Sequence, residues 1–141
     1  MKAVKQAFFP TETRYMPGNR WLNVILRTLH LVGVAGIGGG YFYASQDDTW
    51  RFYLDLCLVS GTLLALLFVY SNGIWLLQLR GLVIMFKLLL FYAIALWSEL
   101  ATPFLILILV LSGWIAHAPA RVRYYSPFYG RRIESLPDQV L

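Results

Sequence analysis

The chain has 141 residues, of which 59% are hydrophobic, 16% aromatic and only 13% charged, with a formal net charge of +5. Soluble domains carry about a quarter charged residues, so charge this scarce, with a mean hydropathy of +0.62, points to a bilayer as the solvent and away from a soluble domain or a nucleic-acid binder. The length suits one compact unit, and the single cysteine, Cys57, cannot form an internal disulfide.

Residues 1–20 form a polar arm with Lys2, Lys5, Arg14 and Arg20. Pro10 and Pro17 punctuate it, and no small-residue cleavage site follows an apolar core, so the arm does not read as a signal peptide.

A spanning helix needs about 20 mostly apolar residues. The first such stretch runs from about Leu22 to Ala44, and its charge-free part begins after Arg27. It contains LHLVGVAGIGGG, in which His30, Gly33, Gly36 and Gly40 are spaced to share one helix face. Arg27 lies one turn earlier on that side. Two uses of such a strip stay open. Small residues let membrane helices approach closely. Alternatively, the bare strip accepts a flat ligand such as a porphyrin, with His30 as an axial nitrogen. Because GIGGG lies inside a span, it is not a dinucleotide fingerprint.

The second span runs from about Phe52 to Tyr70 and the third from about Gly81 to Ser98. SNGIWLLQLR separates them. The fourth runs from about Pro103 to His117, after a tight ELAT turn, and Pro103 suits a first helical turn. In lipid every backbone polar group must be satisfied internally, so the expected fold is an all-α four-helix bundle, up-down-up-down, over residues 21–117. Residues 118–141 form a basic, aromatic tail.

Lys and Arg mark the cytoplasmic side. The arm, Arg80, Arg121, Arg123, Arg131 and Arg132 lie on one side, and Arg51 with Asp47, Asp48 and Glu99 on the other. Both termini are therefore expected in the cytoplasm of a bacterial-type inner membrane. Aromatics are expected to mark the interfaces: Trp21, Tyr70, Trp75 and Trp114 inside, and Tyr41, Phe42, Tyr43, Trp50, Phe52 and Trp97 outside. The arm and tail suggest a collar that meets the membrane surface or a membrane-protein partner, or a second copy of the chain.

Ionisable residues inside a span are functional hypotheses by default. His30 and His117, the only histidines, both fall in the cytoplasmic half, at similar expected depth. Together they suggest bis-histidine ligation of haem b, or a copper ion. Lys87 and Arg27, with Arg80, are placed to meet an anionic group such as a haem propionate or a lipid phosphate. Lys87 can also snorkel to the surface. Asp55 is expected in an interfacial salt bridge. A closed zinc site needs four thiolate or imidazole ligands, which the spacing does not supply, and no nucleophile triad is legible.

With LHLVGVAGIGGG, the Ser60-Gly61 pair and RGLVIMFKLLL, residues 26–95 resemble the copper-resistance D superfamily and the membrane-bound protoporphyrinogen-oxidising proteins similar to it. The resemblance implies a helical inner-membrane bundle handling copper or haem, with His30 and Lys87 at the matching positions. This chain departs from it in lacking a second histidine near that lysine. The sequence thus predicts a small inner-membrane protein that binds haem b or copper through His30 and His117, for electron transfer or cofactor handling. The alternative is a non-catalytic accessory or scaffold subunit, and a lipid-binding or transport role is a third.

Overall fold

The computed structural model describes residues 8–10, 12–42 and 49–135. Lys2 and Lys5, the connection with Tyr43, Asp47 and Asp48, and residues 136–141 lie outside them, as do the side chains of Tyr41 and Phe42. Four long helices dominate: α1 (Asn19–Phe42), α2 (Thr49–Ser71), α3 (Leu79–Leu96) and α4 (Ala101–His117). All four are long and apolar enough to cross a membrane. A short helix α5 (Ala120–Arg123) follows, then a small hairpin of β1 (Tyr125–Ser126) and β2 (Arg131–Arg132). The two strands pair antiparallel, Tyr125 opposite Arg132, and Gly130 supplies the left-handed residue of the turn at φ 61°.

The helix boundaries follow local chemistry. Gly18, at φ 77°, turns the arm into α1, and its carbonyl accepts from Leu22 N at 3.0 Å. Pro103 falls in the first turn of α4, where its missing N–H has no intrahelical partner to lose. The expected break between the second and third spans contains a 3-10 turn, Gly73–Leu77. Asn72 caps it, accepting from Ile74 N at 3.0 Å. Gly81 lets α3 fold back on this turn, because a Cβ there would collide with the Trp75 carbonyl. Trp75 is therefore not an interfacial belt residue: it is only 5% exposed, whereas Trp21 is 71% exposed.

α1 packs most extensively on α2, and α2 also meets α3. Gly33 faces Cys57, Gly36 faces Tyr53 and Gly40 faces Trp50, so these two helices run antiparallel. A tight 3-10 turn, Ser98–Leu100, joins α3 to α4, and α4 touches α1. The main core gathers Ile37, Leu54, Cys57, Phe91, Ile94 and Leu105 from all four helices. Leu31, Leu66, Leu89 and Val110 point outward and are exposed. The bundle is thus apolar on its outer surface as well as inside.

The described parts of the arm and the tail both dock near the turn between α2 and α3. Arg14 N donates to Ser71 O at 3.0 Å, and Ile133 of the tail is buried with Ile74, Leu77 and Phe9. The arm and the tail therefore lie at one end of the bundle, hereafter the tail end.

Candidate functional site

Two polar regions stand out, one inside the bundle and one at the tail end. Inside, His30 of α1 is half-buried, with Nδ1 3.0 Å from the Cys57 carbonyl of α2. A carbonyl only accepts, so Nδ1 carries the proton and donates it, and Nε2 keeps its lone pair. The Cys57 thiol lies beside the ring, 3.5 Å from Nδ1 and 4.0 Å from Nε2. Ser60 Oγ lies 3.4 Å from Nδ1 and donates to Leu56 O at 2.6 Å. Gly61 makes room for the imidazole, since a Cβ there would sit 2.9 Å from Cε1. Phe91 meets the ring edge-on, centroids 6.3 Å apart.

The glycine strip beside His30 is occupied. A Cβ on Gly33 would lie 2.8 Å from Cys57 N, one on Gly36 would enter the Tyr53 ring, and one on Gly40 would lie 2.7 Å from Trp50 Cβ. The strip thus seats α2 at Gly33, Gly36 and Gly40, and a groove beside it is lined by Ala35, Gly36, Gly39, Gly40, Trp50 and Tyr53. His117 is the last residue of α4 and is exposed. His30 sits about 16 Å along α1 from its start at Asn19, at 1.5 Å per residue. His117 thus closes α4 at the tail end, whereas His30 lies about three turns into α1 from that end, so the two histidines differ in depth along the bundle. Among the described residues, no three His, Cys, Asp or Glu side chains cluster as metal ligands would.

Lys87 of α3 donates from Nζ to Ser112 Oγ of α4 at 2.9 Å, and Ser112 donates onward to Ile108 O at 2.6 Å. Its ammonium is half-buried and bonded to a neutral hydroxyl. Asp55 is exposed.

The tail end holds the larger feature, a cavity of about 650 Å³. Arg27 of α1, Trp75 and Gln78 of the interhelical turn, Arg80 of α3, and Tyr124 and Arg132 of the tail wall it. The Tyr124 ring carries three guanidinium groups, Arg80 at 4.4 Å, Arg132 at 5.4 Å and Arg123 at 5.9 Å from its centroid, of which Arg80 and Arg132 line the cavity. Such stacking holds the planar cation while leaving its edge free for hydrogen bonds. Arg80 Nε donates to Gln78 Oε1 at 2.7 Å, and Gln78 Nε2 donates to Ile133 O at 2.6 Å. Gln78 is 1% exposed, so this relay fixes both Arg80 and the tail. Arg27 lies over Phe68 at 5.8 Å from its centroid. Arg132 pairs with Glu134, which also lines the cavity.

Arg27 and Arg80 are expected here from the sequence, as cations that meet an anionic group. Gln78, Tyr124 and Arg132 are not singled out there as site residues. The available signals are a lone amide in IWLLQLRG and an alternation of Arg and Tyr in ARVRYYSPFYGRR. Comparison with known protein families, with characterised proteins and with solved structures finds no match for this chain.

Proposed function

We propose that this chain is a four-span protein of a bacterial-type inner membrane, running up-down-up-down with both termini cytoplasmic, and that it binds an anionic amphiphile in the cavity at its tail end. The orientation is supported by charge. Arg14, Arg20, Arg80, Arg121, Arg131 and Arg132 lie in the arm, the tail or the first turns of α1 and α3 at the tail end, and Arg51 starts α2 at the opposite end. Cations retained on one side face the cytoplasm. The exposed leucines and valines of the four helices suit a lipid solvent, since patches of this extent are rare on soluble monomers.

One observation carries the binding role: arginines from α1, α3 and the tail converge on one cavity. Among the described residues, Glu134 is the only carboxylate on its wall. The cavity also has apolar walls, including Phe68, Ile74 and Ile84. A wall that is cationic on one part and apolar on another fits a ligand with a charged head and a hydrocarbon body. The outer-end connection and the helix-packing glycines then serve as scaffold for this mouth.

The test is retention of lipid by the purified protein, read by native mass spectrometry. Hydrogen bonds to charged groups contribute about 1.5–3 kcal/mol, so Arg80→Gln is expected to weaken retention of anionic amphiphiles about 10-fold or more. Retention of phosphatidylcholine should not change. Equal retention of anionic species by wild type and variant overturns the proposal.

A second reading is favoured by the proton on His30 Nδ1. Histidines that ligate metals commonly donate the other ring N–H to a carbonyl or carboxylate, as His30 does to Cys57 O. In this reading Nε2 is offered to a copper ion, the metal that the superfamily resemblance implies. The expected result is copper co-purifying with the wild type and lost in His30→Ala. A copper-free wild-type protein after growth with added copper sinks this reading.

A further inference from the structure

We infer that the head of the ligand is a terminal phosphate, a phosphate monoester of an apolar chain, rather than a carboxylate or a phosphodiester. The inference rests on the anionic-amphiphile reading above and names its chemistry. Three features of the cavity argue for it.

The first is charge. Arg27, Arg80 and Arg132 against Glu134 leave a net of two positive charges on the wall among the described residues. A phosphate monoester carries about −1.5 to −2 near neutral pH, whereas a carboxylate or a phosphodiester carries a single charge. A monoester therefore neutralises the wall, and the other two leave one guanidinium uncompensated.

The second is donor supply. Arg80 spends its Nε on Gln78 and is held face-on by Tyr124, so the far edge of its guanidinium is left for a ligand. Arg27 has a ring contact with Phe68 and no hydrogen-bond acceptor among the described residues. Each guanidinium presents a planar fork matched to two oxygens of one anion. Two or three such forks need more oxygen than a carboxylate offers, and a terminal phosphate presents three oxygens. Arg132 shares its own fork with Glu134, the only carboxylate on the cavity wall among the described residues.

The third is surroundings. The cavity volume of about 650 Å³ exceeds what a phosphate alone fills, and part of its wall is apolar, with Phe68, Ile74, Trp75 and Ile84. It lies at the tail end of the bundle, the end at which Trp21 in the first turn of α1 and Trp114 in the last turn of α4 are exposed. Tryptophan belts sit at the headgroup level of a bilayer. A lipid head reaches such a mouth without leaving the membrane, so a lipid is the favoured source of the phosphate.

The experiment uses the full chain in nanodiscs of phosphatidylcholine. Phosphatidate, phosphatidylglycerol and a free fatty acid with matched chains are titrated in separate arms, and inorganic phosphate in a fourth. Binding is read by native mass spectrometry. Phosphatidate is expected to bind about tenfold tighter than phosphatidylglycerol and the fatty acid. Arg132→Gln, and independently Arg27→Gln on an exposed helix position, should each reduce that preference. Equal affinity for phosphatidate and phosphatidylglycerol overturns the monoester inference and leaves the anionic-amphiphile reading standing. Inorganic phosphate binding as tightly as phosphatidate supports the phosphate head and overturns the amphiphile reading. No binding in any arm overturns both.

Discussion

Gly33→Ala lowers the stability of the purified protein by about 1–3 kcal/mol, the usual cost of forcing extra volume into a packed contact. The reason is backbone. The added methyl would sit 2.8 Å from Cys57 N and 2.9 Å from Cys57 Cα, and neither atom can swing aside as a side chain can. Relief requires α1 and α2 to separate, and separation also stretches the 3.0 Å bond between His30 and the Cys57 carbonyl. Gly39→Ala is the matched control. Among the described residues nothing lies within 4 Å of a Cβ at Gly39, and alanine is the better helix former by about 0.5–1 kcal/mol. It should leave stability unchanged or raise it. The measurement is the thermal midpoint of each variant in the same detergent, followed by loss of the monodisperse peak. If the two variants behave alike, the close approach of α1 and α2 at Gly33 is wrong, and the strip is open to a ligand after all.

Gln78→Leu is expected to release the tail. The side chain is almost wholly buried and makes two bonds, accepting from Arg80 Nε and donating to Ile133 O. Leucine keeps the bulk and removes both partners. The Ile133 carbonyl then loses its donor in a buried setting, which costs about 1–3 kcal/mol. That energy falls on the hairpin, because Ile133 is what anchors it under the interhelical turn. Cleavage by trypsin after Arg131 or Arg132 requires the hairpin to open locally, so it should quicken by about tenfold for each 1.4 kcal/mol lost. The same variant unfastens Arg80, so retention of anionic lipid should fall with it. Unchanged proteolysis with unchanged lipid retention shows that the relay does not hold the cavity together.

The two predictions bear on different parts of the molecule. Gly33 tests whether the middle of the bundle is packed, and Gln78 tests whether its tail end is built around a cavity. Their independence is useful, since the sites share no residue and their effects should add.

The long helices were legible because their signal is local. Each apolar run has the length a span needs, and the interruptions are polar or contain Pro, Gly and Asn. The structure shifts the ends by a few residues where turn geometry decides: Gly18 starts α1 at Asn19, ahead of Leu22, and α3 stops at Leu96 rather than Ser98. The stretch Ile74 to Leu77 shows where local reading fails. Its apolar residues are too few for a span, and only tertiary packing makes it a buried turn, Ile74 against Ile133 and Phe9, and Trp75 against Ala65, Phe68 and Leu88.

The glycine strip shows a different limit. Its spacing identified the face of α1 that matters, and His30 on it as a residue with a partner. Spacing carries no information about what lies opposite a smooth face, whether a helix or a cofactor. That depends on how closely α2 can approach, which the small side chain at Cys57 and the rings of Tyr53 and Trp50 determine.

By itself the sequence determined the number of long helices, their apolar character, the uneven placement of cations and the face of α1 used for close contact. These follow from hydropathy and helical period, which act over one or two turns of chain. Only the tertiary structure decided that α2 fills the strip, that His30 and His117 stand apart, and that Arg27, Arg80 and Arg132 surround one cavity. Those three arginines are separated by some fifty residues at each step, and no local rule relates positions so distant. Their meeting is set by the docking of arm and tail on one interhelical turn, a matter of buried area and hydrogen bonding between segments rather than of pattern within any of them.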